Sequence, residues 1–131
     1  MKPLYRLMVL DDDPDSAQFV ADAAEAMGFH CFATTDPMRF LECLTSDTTL
    51  IFLDLVMPHV DGVEMLRTLG EKHCEAKIIL MSGADYQIME TVEEIAVALG
   101  LSIVGHLQKP VRLKVLEEMI KTYLGTRPSS L

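Results

Sequence analysis

The sequence predicts an α/β fold in which a parallel sheet is covered by helices on both faces. Two observations lead to this prediction: apolar runs of strand length alternate five times with segments of helical periodicity, and those runs are almost continuously apolar. A third observation is size, because 131 residues of 50% hydrophobic composition suffice for one compact domain. We therefore expect five strands and five helices in alternation.

The first half of the chain is predicted to form two strand–helix units. Residues 7–10 form an apolar strand that stops at three consecutive aspartates. Pro14 suits the first turn of the following helix, with Asp13 as its N-cap. The second unit repeats this pattern, with a strand over residues 29–33 and a helix that starts at Asp36-Pro37.

The second half is predicted to contribute three more units. Residues 50–53 and 78–81 have the length and apolar character of buried strands. Helices are expected after Asp61-Gly62, which should form a turn, and over residues 86–99. The last strand begins at residue 101 and runs towards His106, and a final helix covers residues 115–123.

Composition and charge exclude several classes of function. The formal net charge is −9, which argues against nucleic-acid binding by this domain. No stretch of 18 apolar residues is present, so we expect no membrane span, and the N-terminus lacks the pattern of a signal peptide. Cys31, Cys43 and Cys74 are odd in number and lack metal-ligand spacing, which predicts reduced, mostly buried thiols in a cytoplasmic protein.

Polar side chains stand where four of the predicted strands end. Asp11 and Asp12 follow the first strand, Asp54 the third, Ser82 the fourth and Lys109 the fifth. The carboxyl ends of parallel strands share one edge of the sheet, where open α/β sheets bind their ligands. We therefore expect these five residues to converge, although each alone also has a structural interpretation as a cap or turn residue.

The residue types at this edge favour phosphoryl chemistry. Carboxylates that lie close together repel and raise one another's pKa values, and a divalent cation relieves this repulsion. Hard oxygen ligands favour Mg²⁺. Lys109 adds a second positive charge and Ser82 adds a hydroxyl donor, so that a carboxylate among them is well placed to accept a phosphoryl group. Asp13 is expected to cap a helix and not to bind the metal.

Four motifs resemble the receiver domain of two-component response regulators. They are Val9-Leu10-Asp11-Asp12-Asp13-Pro14, the segment from Asp54 to Gly62, Met81-Ser82-Gly83 and Lys109-Pro110. The resemblance covers about residues 5–124 and implies a flavodoxin-like (βα)5 fold with strand order 2-1-3-4-5. A receiver domain would then occupy residues 1–125, and residues 126–131 would be a tail or the start of a linker.

The resemblance also implies a role for each residue of the site. Asp54 would be the phosphoacceptor, and Lys109 and Ser82 would contact the phosphoryl group. The magnesium ligands would be Asp12, Asp54 and the Val56 carbonyl, with Asp11 acting through water. The donor would be a phosphohistidine on a sensor histidine kinase or a histidine phosphotransfer protein. Such a domain is a signalling switch that catalyses only its own phosphorylation and dephosphorylation.

His106 departs from the family pattern. The position three residues before the lysine usually carries Tyr or Phe, which swings inward on activation when the residue at Ser82 turns towards the phosphoryl group. Imidazole is smaller, can donate a hydrogen bond and titrates near neutral pH. We expect either a histidine that merely fills space or, together with Ser82, a switch that depends on pH.

The output of the switch stays open at this point. Residues 96–110 resemble receivers that are fused to cyclic-di-GMP phosphodiesterase domains, and residues 127–130 have linker composition, which would suit an output domain beyond Leu131 or a frayed end. The predicted change is at the surface formed by the fourth helix, fifth strand and fifth helix. The charged residues on those helices are expected either to be solvated or to form salt bridges between the two copies of a homodimer. They are Glu90, Glu93 and Glu94 on the fourth helix and Arg112, Lys114 and Lys121 on the fifth.

Two alternatives come from other classes of protein. An aspartate-nucleophile phosphohydrolase would use Asp11, because residues 11–13 contain an Asp-x-Asp, but no paired acids follow the strand at 78–81. A flavin-binding domain of the same topology would need a phosphate loop rich in Ser, Thr and Gly after the first strand, and the sequence has none there. A phosphoryl adduct on Asp11 would favour the first alternative, and a coloured protein the second.

Overall fold

The computed structural model describes residues 6–57, 61–83 and 86–125, and over these residues it confirms five strands alternating with five helices. Residues 58–60 of the motif from Asp54 to Gly62, and the predicted tail at residues 126–131, lie outside the described residues. In chain order the elements are β1 (Leu7–Leu10), α1 (Pro14–Ala26), β2 (Cys31–Thr34), α2 (Pro37–Cys43), β3 (Leu50–Asp54), α3 (Gly62–Glu71), β4 (Lys77–Ser82), α4 (Tyr86–Ala98), β5 (Ser102–Gln108) and α5 (Leu113–Leu124).

The five strands form one parallel sheet in the order β2-β1-β3-β4-β5. This is the flavodoxin-like arrangement, so the predicted fold class and strand order are confirmed. The chain reverses its direction of winding between β1 and β3, which leaves a crevice outside the carboxyl ends of these two strands. The predicted site residues at the ends of β1 and β3 border this crevice.

Two apolar cores lie on opposite faces of the sheet, because successive strand residues point to opposite sides. On one face, Val9, Phe52 and Met81 pack beneath α1 and α5. On the other face, Leu10 and Leu53 pack with residues of α2, α3 and α4. The apolar runs of β1, β3 and β4 are therefore buried on both sides, as predicted, whereas the edge strands β2 and β5 are only partly buried.

Three aspartates begin helices. Asp13 and Asp36 are N-caps, as predicted, and accept hydrogen bonds from the backbone N–H groups of Asp15 (3.0 Å) and Met38 (2.9 Å). The expectation of a turn at Asp61-Gly62 is wrong, since Asp61 caps α3 and Gly62 is already helical. Aspartate and glycine are favoured both at turns and at helix starts, so this pair did not distinguish the two.

The strands are longer at their ends than their apolar runs suggest. β3 includes Asp54 and β4 includes Ser82, because ladder hydrogen bonds, not hydropathy, decide where a strand ends.

The cysteines also differ in part from the expectation: Cys31 is buried but Cys43 and Cys74 are only half-buried, and none forms a disulfide. Within residues 6–57, 61–83 and 86–125, no helix is both long and apolar enough to span a bilayer.

A bulge interrupts the pairing of β5, an edge strand, with β4. Ile78 pairs with Ile103 and Ile79 with Gly105, so Val104 is an extra residue. Val104 and Gly105 both face α5: the Val104 side chain packs against the core that α5 covers, and a Cβ on Gly105 would lie 3.2 Å from the Met119 methyl group. The Tyr123 hydroxyl also donates to the Val104 carbonyl at 3.0 Å. After the bulge, successive side chains of β5 again point to opposite faces of the sheet, but each lies on the face opposite to the one that uninterrupted alternation would give it.

Candidate functional site

Backbone hydrogen bonds continue past the strand ends and bring the site residues together. The Leu55 N–H donates to the Met81 carbonyl at 3.1 Å, and the Lys109 N–H donates to the Ser82 carbonyl at 3.1 Å. The main chain that carries the predicted acid, hydroxyl and amine is therefore held in register across β3, β4 and β5. The predicted convergence at the carboxyl edge of the sheet is what the structure shows.

Lys109 joins two carboxylates from different strands. Its Nζ lies 2.8 Å from Asp11 Oδ2 and 3.0 Å from Asp54 Oδ2, so one ammonium links β1, β3 and the end of β5. The Asp54 contact is a hydrogen bond in which the ammonium donates. The lysine side chain is 25% exposed, whereas those of Asp11 and Asp54 are 0% and 2% exposed. The negative charge is therefore buried and its partner reaches the surface.

The remaining carboxylate oxygens accept hydrogen bonds from the backbone. Asp54 Oδ1 accepts from the Val56 N–H at 3.0 Å, and Asp11 Oδ1 accepts from the Asp13 N–H at 2.9 Å. Asp11 Oδ2 is different: it is buried in its ion pair with Lys109 and has no regular hydrogen bond within the described residues. A fully buried carboxylate oxygen in that position has capacity to bind a further cation or an ordered water.

Burial and neighbouring charges shift the pKa values of the central pair. Burial raises the pKa of Asp54 to about 6, and Asp12 and Asp11 add to the rise, while hydrogen bonds from Val56 and Lys109 oppose it. Burial alone would lower the pKa of Lys109, but its contacts with Asp11 and Asp54 outweigh this and raise it. The site therefore holds a charged lysine beside a carboxylate whose ionisation is costly.

The donor set fits a divalent cation. Asp11, Asp12 and Asp54 each offer a carboxylate oxygen, and these atoms lie within 4.8 Å of one another. Carboxylates are the ligand type that Mg²⁺ prefers, and a cation would lower the cost of ionising Asp54, whose pKa is raised mainly by burial and further by Asp12 and Asp11. Asp13 takes no part, because its two oxygens accept from the Asp15 N–H and the Ser16 hydroxyl.

The other predicted residues divide between the site and its surroundings. Ser82 is buried at the end of β4, on the strand between those that carry Asp54 and lead to Lys109. Val56 is 59% exposed, and it is its N–H that contacts Asp54. His106 does not lie in the site: its ring points outwards, and Nδ1 is 3.2 Å from Glu93 Oε1 on α4.

A cavity of about 240 Å³ borders the site between α1 and the segment after β5. Asp11 and Lys109 form its polar wall, and Phe19, Val20 and Val111 are among its apolar lining. The sequence pattern does not predict Phe19 as a residue of the site. Its signal was an aromatic residue at a helix position off the apolar stripe, and the structure leaves it 38% exposed.

A buried aspartate at the switch point of a flavodoxin-like sheet, with two further acids and a lysine, defines a receiver-type signalling domain. A family model described as the response regulator receiver domain matches residues 7–121, and the chain belongs to this family. Aspartate phosphorylation and magnesium binding are general features of the family, whose members are signalling modules. Nothing in the comparisons favours a phosphohydrolase that uses Asp11.

Individual relatives agree with this membership. The transcriptional regulatory protein CitT of Halalkalibacterium halodurans is 29% identical over 97% of this chain and 55% of its own length. The regulatory protein VirG of Agrobacterium fabrum is 29% identical over 98% of this chain and 49% of its own length. The chain thus spans about half the length of these curated relatives.

Solved structures show the same fold. A response regulator from Colwellia psychrerythraea has a TM-score of 0.80 and 30% identity, covering 92% of this chain and 96% of its own. The chemotaxis protein CheY4 of Vibrio cholerae has a TM-score of 0.76 at 17% identity, over 92% of this chain and 99% of its own, which supports the fold alone.

Proposed function

We propose that this receiver domain is switched by Mg²⁺-dependent phosphorylation of Asp54. The donor is a phosphohistidine of a sensor histidine kinase or a histidine phosphotransfer protein. The observation that carries the proposal is the position of Lys109 Nζ, within 3.0 Å of carboxylate oxygens of both Asp11 and Asp54. A cation already paired with the acceptor carboxylate can move to the phosphoryl oxygens without leaving the site.

Asp54 acts as the nucleophile in this proposal. An oxygen of its carboxylate bonds to phosphorus as the phosphorus–nitrogen bond of the phosphohistidine breaks, and the imidazole leaves with the bonding electron pair and takes up a proton. Because burial raises the pKa of Asp54 to about 6, the carboxylate is mostly ionised at neutral pH and poorly solvated, which suits a nucleophile. The Val56 N–H holds its other oxygen in place.

Magnesium completes the charge balance of the site. Asp11, Asp12 and Asp54 would hold it together with the Val56 carbonyl, Asp11 acting through water. When bound, the ion supplies positive charge that offsets the three carboxylates and the incoming phosphoryl oxygens. The role of Lys109 is complementary, since its charge is fixed to the chain and is present with or without the metal.

Ser82 and His106 form the proposed switch. Ser82 lies at the end of β4 between the strands of the acceptor and the lysine, where its hydroxyl would donate to a phosphoryl oxygen. His106 follows on β5, in register with Leu80 of β4. A rotation of the Ser82 side chain therefore changes the space beside β5 and alters the surface formed by α4, β5 and α5.

The output is proposed on the nature of the relatives. CitT and VirG are named as regulatory proteins and are about twice as long as the aligned region. We infer that residues 1–125 are the receiver domain, that residues 126–131 begin a linker, and that the phosphorylated α4–β5–α5 surface controls a partner, a second copy or an output domain beyond Leu131. A cyclic-di-GMP phosphodiesterase stays one prediction for that domain. A cytoplasmic location would give a kinase access to the site.

Phosphorylation by acetyl phosphate tests the proposal. Intact-mass measurement with and without Mg²⁺ should show one added phosphoryl group on wild type only when Mg²⁺ is present. Asp54→Asn should show none, and Asp13→Asn, which alters a helix cap, should be labelled like wild type. Full labelling of Asp54→Asn would overturn the assignment of Asp54, and an adduct mapped to Asp11 would assign the nucleophile to that residue.

A further inference from the structure

The edge strand β5 is tied to α4 by a histidine–carboxylate contact. His106 Nδ1 lies 3.2 Å from Glu93 Oε1, and the two residues are 13 positions apart in the chain. Both side chains are partly exposed, at 40% and 36%. The contact therefore crosses from sheet to helix at a place that solvent protons reach, and its strength depends on the charge of the imidazole.

We propose that the pair His106–Glu93 forms a pH-sensitive clasp. The clasp holds the imidazole against α4, on the outside of the domain, and in acid it opposes the conformational switch. The clasp itself belongs to the unphosphorylated domain that the structure describes. Its effect on signalling rests on the proposed function, in which His106 must leave this position when Ser82 turns towards a phosphoryl group on Asp54.

Charged groups of both signs lie near the imidazole. From α4, Glu93 contacts the ring directly, and Glu90 and Glu94 add negative charge on the same helix. From the segment after β5, Lys109 and Arg112 line with His106 a surface cavity of about 480 Å³. Lys109 Nζ is engaged by Asp11 and Asp54, and Arg112 is exposed, so that solvent screens its charge.

Two effects of pH on the clasp have the same sign. Below the pH at which the imidazole titrates, the pair is an ion pair, and above it the pair is reduced to a weaker hydrogen bond. Exposed ion pairs are worth up to about fivefold in an equilibrium constant. The neutral ring is also easier to bury than the cation, so inward movement is favoured when the proton is lost. Acid therefore keeps His106 outside, and alkali releases it.

The backbone connects the clasp to the site. His106 lies near the carboxyl end of β5, and Lys109 directly follows that strand, three residues after His106. The Lys109 N–H donates to the Ser82 carbonyl. When Lys109 and Ser82 both turn to a phosphoryl group, the strand end that carries His106 is next to the residues that move. A clasp three residues away is therefore positioned to oppose that rearrangement.

The first experiment uses the unphosphorylated full chain. The imidazole resonances are followed by NMR between about pH 5 and 9 in wild type, Glu93→Gln and Glu90→Gln, with His106→Gln identifying the signal. We expect Glu93→Gln to lower the midpoint of His106 by about 0.2 to 0.7 pH units, and Glu90→Gln, on the same helix without this contact, to lower it less. An unchanged midpoint in Glu93→Gln would overturn the clasp.

The second experiment measures its effect on switching. Amide shifts of α4 and β5 are compared before and after acetyl phosphate treatment at pH 6 and pH 8, with each response divided by the phosphorylated fraction from intact mass. Wild type should respond more per phosphorylated molecule at pH 8; His106→Phe should lose most of that difference, and Glu93→Gln should lose the part due to the ion pair. An equal pH dependence in all three would overturn the link to switching. Failure of Asp54 to be phosphorylated would overturn the proposed function, and the clasp would then be decided by the imidazole titration.

Discussion

At the scale of single residues, Lys109 decides how much negative charge the site can hold. Its ammonium lies within 3.0 Å of oxygens of both Asp11 and Asp54, and those carboxylates are almost fully buried. Removing it would leave two buried charges without a partner on the chain, which is the costly way to break a buried ion pair. A divalent cation can replace that charge, although it cannot replace the geometry of the lysine.

Lys109→Ala should therefore change the dependence of the domain on Mg²⁺. Without metal we expect the variant to lose about 1–3 kcal/mol of unfolding free energy. Its Mg²⁺ affinity should equal or exceed that of wild type, because a repelling cation is gone. Calorimetric titration suits a chain without tryptophan, and Lys114→Ala on the exposed face of α5 is the control. Weaker Mg²⁺ binding by the variant would contradict this electrostatic account.

The raised pKa of Asp54 makes a prediction about stability and pH. Because burial raises the pKa from 3.8 to about 6, the folded state retains a proton that the unfolded state has already lost between those values. The unfolding free energy contributed by this group is thus largest in acid and falls as pH rises from about 4 to 6. The carboxylate at the centre of the site destabilises the fold at neutral pH.

Asp54→Asn should remove this penalty. In Mg²⁺-free buffer we expect the variant to be more stable than wild type by about 1–3 kcal/mol at pH 8, with little difference near pH 4, where the wild-type carboxyl is protonated. Urea unfolding at several pH values measures the difference. The exposed Asp22→Asn serves as the control. A stability difference independent of pH would mean that the ionisation of Asp54 is not its cause.

At the scale of elements, the features predicted from sequence were the local ones. Asp13 and Asp36 cap their helices because a side chain bonds a backbone N–H two residues away, and that contact needs no tertiary context. Asp61 makes the same local contact with the Val63 N–H, but Asp-Gly is favoured at turns as well as at helix starts, so the sequence predicts a turn there. The bulge at Val104 is not predicted, because it depends on how β5 pairs with β4, which local sequence does not encode.

Gly70 shows how an element's neighbour can reverse a propensity. Glycine inside a helix ordinarily costs about 0.5–1 kcal/mol relative to alanine. In α3, however, a Cβ on Gly70 would lie 3.0 Å from the Leu99 carbonyl oxygen and 3.3 Å from the Leu99 Cβ at the end of α4. The two helices can therefore approach this closely only because residue 70 has no side chain.

Gly70→Ala should destabilise the protein, by about 1–3 kcal/mol, because backbone atoms must shift to admit the methyl group. Gly83→Ala is a matched control, since a Cβ there meets nothing within 4 Å. Thermal or urea unfolding of the two variants provides the comparison. If Gly70→Ala were as stable as wild type or more so, α3 and α4 would be separating more easily than this packing allows.

At the scale of the whole molecule, charge links the metal to the stability of the fold. The chain carries a formal net charge of −9, and three of its acids lie within 4.8 Å of one another. Anything that binds the folded state but not the unfolded state raises its stability by mass action. Magnesium should therefore stabilise the domain beyond the general screening that any salt provides.

The expected gain is about 2.7 kcal/mol when free Mg²⁺ is 100 times its Kd. Melting curves in Mg²⁺ and in NaCl of equal ionic strength separate binding from screening. The Mg²⁺-specific increase should persist in Asp13→Ala, which loses only a helix cap, and should be reduced in Asp12→Ala. Equal increments for the two variants would place the ion elsewhere.

The fold and the membership of the site were both predictable, for a topological reason. In a parallel sheet every strand ends at the same edge, so Asp11, Asp54 and Lys109 had to meet there once the strands were found. The direction of the His106 ring and the cavity beside Phe19 were not predictable. They depend on side-chain packing between elements far apart in the chain, which periodicity does not report.

The bulge in β5 has a consequence for the tolerance of this strand to insertion and deletion. Val104 and Gly105 face the same side of the sheet. The residues after them therefore lie on the faces opposite to those that strict alternation along the strand would give them. Loss of Val104 would remove the bulge and leave Leu107 in the α1–α5 core and His106 on the α4 side, whereas insertion of one residue after Gly105 would exchange the faces of these two residues. At this point β5 can therefore lose one residue without turning its later side chains over, but it cannot gain one, so the strand behind the output surface tolerates shortening better than lengthening.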